Sequence, residues 1–147
     1  MGKTLYWEDV EDGAELPSLS KKPTTQQLVQ WAGTALDFYP IHYDEAFAKS
    51  TGLDGIIVHG ALKNSWLAQL VTDWIGSTGT LWKLSVQYRG MDVPDDDMKC
   101  GGKVNRRYVE GDRHLIDCDI WIENGKGEKT TPGSATVALP SRSAPAG

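Results

Sequence analysis

Long apolar runs are missing from this chain. None reaches the ~18 residues that a membrane-crossing helix requires, so no membrane partner is expected. A secretory apolar segment is missing too: the chain opens Met1-Gly2-Lys3-Thr4-Leu5, which makes the cytoplasm the expected location. Cysteine is scarce. Cys100 and Cys118 are the only two; they sit in strand-like segments outside any C-x-x-C pair and are read as reduced core thiols. Basic blocks are also lacking, and the formal net charge is −5. That argues against nucleic acid as a partner, because neutralising phosphates takes a Lys/Arg footprint. A small anionic ligand stays open, since a few local cations or helix N-terminal amides suffice for it.

What the chain does have is the make-up of one globular domain: 147 residues, 39% apolar and 24% charged, enough to bury a core without disulfide or metal staples. The domain is assigned to residues 1–139. Residues 140–147 (PSRSAPAG) are small, polar and Pro-rich and are read as a disordered tail. Leu5 to Leu19 reads as a short strand and a turn-rich stretch. Thr24 or Thr25 caps a helix ending near Leu36. Pro40 keeps Asp37 to Tyr43 out of regular helix. A short helix follows from Asp44 to Ser50, then a short buried strand at Ile56, Ile57 and Val58. Gly60 to Ile75 is the longest helical candidate. Leu62, Trp66, Leu67, Leu70, Val71, Trp74 and Ile75 leave it little polar surface, and Lys63, Gln69 and Asp73 mark its wetter side.

Beyond Gly76 the apolar period changes to two. Trp82, Leu84, Val86 and Tyr88 form one phase; Met98, Cys100, Val104 and Tyr108 a second; Ile116, Cys118, Ile120 and Ile122 a third; Ala135, Val137 and Leu139 close the set. Glu110-Gly111-Asp112 and Asn124-Gly125 with Gly127 are hairpin signals. The class is therefore α+β: four antiparallel strands with one face to cover, and one buried helix available to cover it.

The stretch with chemistry in it is Asp37-Phe38-Tyr39-Pro40-Ile41-His42-Tyr43-Asp44, followed by Ile57-Val58-His59-Gly60. Asp37 and His42 stand five positions apart across a proline-stiffened turn, with Ile41 expected to anchor that turn in the core. A carboxylate and an imidazole around one water make an acid/base pair, and partial burial moves such groups toward working pH. Gly60 opens the long helix, so its N–H is an unpaired donor at the positive end of the helix dipole. A thioester carbonyl there would be polarised and its enolate stabilised, and glycine lets a ligand approach the backbone.

These residues resemble the hydratase-2 signature of MaoC-like proteins, D-x-N-P-(I/V/L)-H-x-D with a downstream (I/V)-x-H-G, and the likeness runs roughly from Trp7 to Leu139. The resemblance implies a single hot-dog domain, an antiparallel sheet wrapped around a long central helix. It implies an (R)-specific enoyl-CoA hydratase of fatty acid metabolism. Asp37 and His42 would activate water for syn addition across a trans-2-enoyl-CoA, and the Gly60 amide would hold the thioester oxygen. Tyr39, Pro40, Ile41 and His59 would line the substrate site. No metal or redox cofactor is implied, and the expected partners are the acyl-CoA substrate and a second copy, as a homodimer or higher oligomer. One departure stands out: Tyr39 occupies the position of the signature Asn, which bears on pocket shape and substrate range.

Each of these residues also has a plainer role open to it. Asp37 alone reads as a turn carboxylate, His42 as a satisfied loop histidine, and His59 as a helix cap or a support for the active-site loop. Asp44 reads as the cap of the short helix. Two other functions compete. A hot-dog thioesterase usually wants a carboxylate near the start of the central helix or on an adjacent strand; Gly60-Ala61-Leu62-Lys63-Asn64-Ser65 has none, none follows until Asp73, and Asp54 is the nearest upstream candidate. A non-catalytic or partner-dependent acyl-CoA-binding subunit draws support from Tyr39 and is opposed by the intact Asp37 and His42.

Overall fold

The computed structural model describes residues 3–144. In chain order its elements are β1 (Leu19–Lys21), α1 (Thr25–Ala35), α2 (Glu45–Ser50), α3 (Gly60–Ile75), β2 (Thr80–Val86), β3 (Met98–Glu110), β4 (Arg113–Glu123) and β5 (Lys129–Ala138). Single 3₁₀ turns at Trp7–Asp9, Pro40–His42 and Gly76–Thr78 complete the set. The five strands form one antiparallel sheet in the order β1-β3-β4-β5-β2. α3 lies against its inner face, touching β2, β3, β4 and β5. This is the α+β hot-dog arrangement expected from the order of helix and meander.

The core follows from the two periods. Leu62, Trp66, Leu67, Leu70, Val71 and Ile75 of α3 pack on Met98, Cys100, Val104, Ile116, Cys118, Ile120, Ile122, Ala135 and Val137 of the sheet. Burying each such Leu or Ile contributes roughly 1.5–3 kcal/mol, so the helix is held by packing rather than by propensity. The hairpins turn where glycine permits positive φ, at Gly111 (65°) and Gly127 (78°). No described helix is long and apolar enough to cross a membrane.

Several expectations need correction. Ile56–Val58 is not a strand: Ile57 N donates to Ile41 O (3.1 Å) and Val58 N to Asp92 O (2.8 Å), so each amide finds a separate loop rather than a common sheet edge. The first strand lies at Leu19–Lys21, paired with β3; before it Glu15 makes only an isolated bridge to Lys103. A bulge between Leu81 and Lys83 shifts the phase of β2. Leu81, Leu84 and Val86 therefore pack toward the core, while Trp82 is 45% exposed beneath the Arg113 guanidinium, 4.2 Å from its ring centroid. A second bulge, between Val104 and Arg106, puts Tyr108 out of phase with Val104; its hydroxyl donates to Asp117 Oδ1 at 3.2 Å. The expected loose tail is docked as far as Ala144. Trp7 N donates to Pro140 O at 2.9 Å, buried Ser141 donates to Glu8, and Arg142 pairs with Asp9 at 2.7 Å. Residues 145–147 of the expected tail lie outside the described residues.

Candidate active site

The site is assembled from two loops and one helix end. α1 starts on Thr24, whose Oγ1 accepts from Gln27 N at 3.1 Å, and stops at Leu36 in the left-handed conformation, φ 56° and ψ 30°. A side chain there costs roughly 1–2 kcal/mol. Asp37 follows directly and closes a small turn, its Oδ1 accepting from Tyr39 N at 3.4 Å. Pro40 then opens the 3₁₀ turn that carries His42. Asp44 caps α2, as expected, with Oδ1 accepting from Phe47 N at 3.0 Å.

His42 is buried, and its Nδ1 lies 2.7 Å from Ile57 O. A carbonyl can only accept, so Nδ1 carries the proton and Nε2 of the neutral ring keeps its lone pair. His59 is 0% exposed and stacks on His42 with ring centroids 3.8 Å apart and planes 20° apart. Neither His59 ring nitrogen has a hydrogen-bond partner among the described residues. Burial pushes the His59 imidazole below its usual 6.5 and the neighbouring His42 adds to this, while the nearby backbone and carboxylate of Asp37 oppose it. The neutral ring is thereby favoured. One donor atom from each of Asp37, His42 and His59 lies within 4.8 Å of the other two.

Gly60 begins α3 directly after His59, and no side chain caps that helix end. Its amide is among the first four N–H groups with no partner inside the helix, and the dipole makes this end attractive to negative charge. A carboxylate, an imidazole lone pair and an uncapped helix-terminal amide thus share one corner. Three possible ligand residues also raise the question of a metal ion. The two imidazoles stack nearly parallel, and His42 Nδ1 is already engaged by Ile57 O.

The remaining expected site residues fall nearby in different roles. Tyr39 is exposed, its ring edge-on to His42 (6.4 Å between centroids) and Phe47 (5.9 Å). Ile41 is only half-buried and stands outside the main core cluster. It holds the turn through its carbonyl, which accepts from Ile57 N, and not by anchoring in the core. Lys63 needs a larger correction: it is 3% exposed and does not mark a wet side of α3. Its Nζ donates to Asp92 Oδ2 at 2.9 Å and Gly90 O at 3.1 Å, and Thr130 Oγ1 donates to the same carboxylate oxygen at 2.8 Å. Reading the sequence missed the role of Asp92, and it placed Tyr88 in the strand run with Leu84 and Val86, whereas β2 ends at Val86 and Tyr88 is exposed. A lone lysine in the first turn of an apolar helix was the available signal for the first; nothing local pointed to the second.

A family model described as MaoC like domain matches residues 11–114. The chain belongs to that family. The matched stretch of this MaoC-like chain contains Asp37, His42, His59 and Gly60, and also Lys63, Tyr88 and Asp92. Among curated proteins, the (R)-specific enoyl-CoA hydratase of Aeromonas caviae is 26% identical over 123 residues, covering 83% of this chain and 90% of the relative. The fatty acid synthase subunit beta of Aspergillus oryzae is 27% identical over 110 residues, covering 73% of this chain but only 5% of that protein. The solved structure of the (R)-hydratase from A. caviae involved in PHA biosynthesis superimposes with a TM-score of 0.81 at 25% identity, over 90% of this chain and 99% of the other. Relatives of the MaoC-like chain thus include a hydratase of its own size and a stretch of a far larger synthase.

Proposed function

We propose that this chain hydrates trans-2-enoyl-CoA thioesters reversibly to (R)-3-hydroxyacyl-CoA. The observation that carries the reading is the meeting of Asp37, His42 and His59 within 4.8 Å at the open end of α3. With Nδ1 committed to Ile57 O, His42 Nε2 accepts a proton from a water whose position Asp37 shares. The water oxygen bonds to Cβ, the C=C pair moves toward the carbonyl, and the enolate oxygen forms at the Gly60 N–H. A proton returned to Cα from the Asp37/His42 pair completes the addition. Each step has a supporting group of the needed type: a base with a free lone pair, and an amide in a helix-terminal field for the developing charge.

No metal enters this scheme. A hot-dog dimer would also cover Leu36, Phe38, Tyr39 and Tyr43, which are exposed on the loop between α1 and α2. The test is turnover of crotonyl-CoA and longer enoyl-CoAs by the purified protein, with and without chelator. Asp37→Asn and His42→Ala are each expected to lower kcat at least ~10²-fold at unchanged melting temperature, and chelator to leave the rate unchanged. Full activity in either folded variant would end the proposal.

A further inference from the structure

Tyr88 has no place in the chemistry above, yet it is held firmly against the site. It follows β2 in the segment Gln87–Asp92, tied down on both sides. Gln87 N donates to Pro132 O at 2.8 Å, Arg89 N and Gly90 N to Thr130 O at 3.0 and 2.9 Å, and Asp92 O accepts from Val58 N at 2.8 Å. From below, Lys63 Nζ binds both Gly90 O and the Asp92 carboxylate. The result is a phenol ring lying on the one residue of α3's first turn that has no side chain. A methyl group built on Gly60 would sit 3.1 Å from Tyr88 Cζ and 3.2–3.3 Å from both Cε atoms. The Lys63 ammonium lies 5.6 Å from the ring centroid. Tyr88 is nevertheless 53% exposed.

Resting on the hydratase reading, we propose that Tyr88 is a substrate-contacting wall for the thioester head. A carbonyl held by the Gly60 amide has the Tyr88 ring as its neighbour across the Gly60 Cα. The buried His59, with two unpartnered ring nitrogens, bounds the same helix end. Contact is with the head common to every acyl-CoA, not with the acyl tail. The Lys63–Asp92 pair is a positioning device that fixes the segment carrying the ring. Because the phenol hydroxyl makes no hydrogen bond among the described residues, the contact is made by the ring face.

The consequence separates a head contact from a tail contact. Tyr88→Ala is expected to raise KM about fivefold or more, by the same factor for crotonyl-CoA and for a medium-chain enoyl-CoA, with kcat little changed. Tyr88→Phe should behave as wild type. An unchanged KM, or a factor that grows with chain length, would overturn the assignment. Calorimetric binding of butyryl-CoA, which has no double bond to hydrate, gives an independent readout. If the wild type hydrates no enoyl-CoA, the hydratase reading fails, and butyryl-CoA still decides on Tyr88. Binding weakened in the Ala variant and kept in the Phe variant supports the wall; equal binding by all three, or none by the wild type, removes it.

Discussion

At the scale of single residues, the site rests on two buried histidines whose rings stack. His59 is the more buried, and its folded-state pKa lies below 6.5. Once unfolded, the same ring titrates at its ordinary value and takes up a proton first as the pH falls. The stability it supports is therefore full above 6.5 and is lost as the pH drops below that. His59→Gln should flatten this slope: urea midpoints of wild type and variant at about pH 7.5 and about pH 5.5 should differ less in the variant. An identical pH slope in both proteins would show that His59 is not held neutral by the fold. Asp37 and His42 were legible as a pair because proline and spacing are local facts. The protonated Nδ1 of His42 was not, since its partner, Ile57 O, is set by the path of another loop.

At the scale of elements, the informative contact is the ion pair beneath the first turn of α3. Both side chains are almost fully buried, at 3% and 0% exposure. A buried pair is a weak source of stability, but removing one partner leaves a charge with nothing to compensate it. Lys63→Met should cost roughly 3–5 kcal/mol, read as a lowered urea midpoint. Lys63→Met with Asp92→Leu should regain most of that loss, because the stranded charge is gone. A single variant as stable as wild type would mean that Asp92 finds another partner. The bounds of α3 were readable from its apolar run and from Gly76, but the fate of its lysine was not. Lys63 and Asp92 lie 29 positions apart, and only the course of the segment after β2 brings them together. The two bulges that turn Trp82 and Tyr108 out of the expected phase were hidden for a related reason. Each extra residue in a strand is defined by the register with its neighbour.

At the scale of the whole molecule, the two ends of α3 do different jobs. Its sixteen residues span about 24 Å at 1.5 Å per residue. Gly60 and the paired histidines lie at one end. At the other, residues 140–144 fold back onto the Trp7–Asp9 turn through Trp7, Glu8 and Asp9. Ending the chain after Leu139 should lower the melting temperature while leaving kcat and KM for crotonyl-CoA unchanged. A loss of turnover at a temperature where the truncated protein stays folded would show that the two ends are coupled.

The amino-acid order alone determined the long apolar helix, the period-two strands, the hairpin glycines and the Asp37/His42/Gly60 constellation. These are short-range patterns in which each residue's neighbours decide its conformation. Tertiary structure alone decided which imidazole nitrogen is free, that Lys63 is buried, and that Tyr88 lies on Gly60. Each of those depends on groups far apart in the chain, and desolvation and hydrogen bonding act on whatever the fold brings into contact, whatever its distance in sequence.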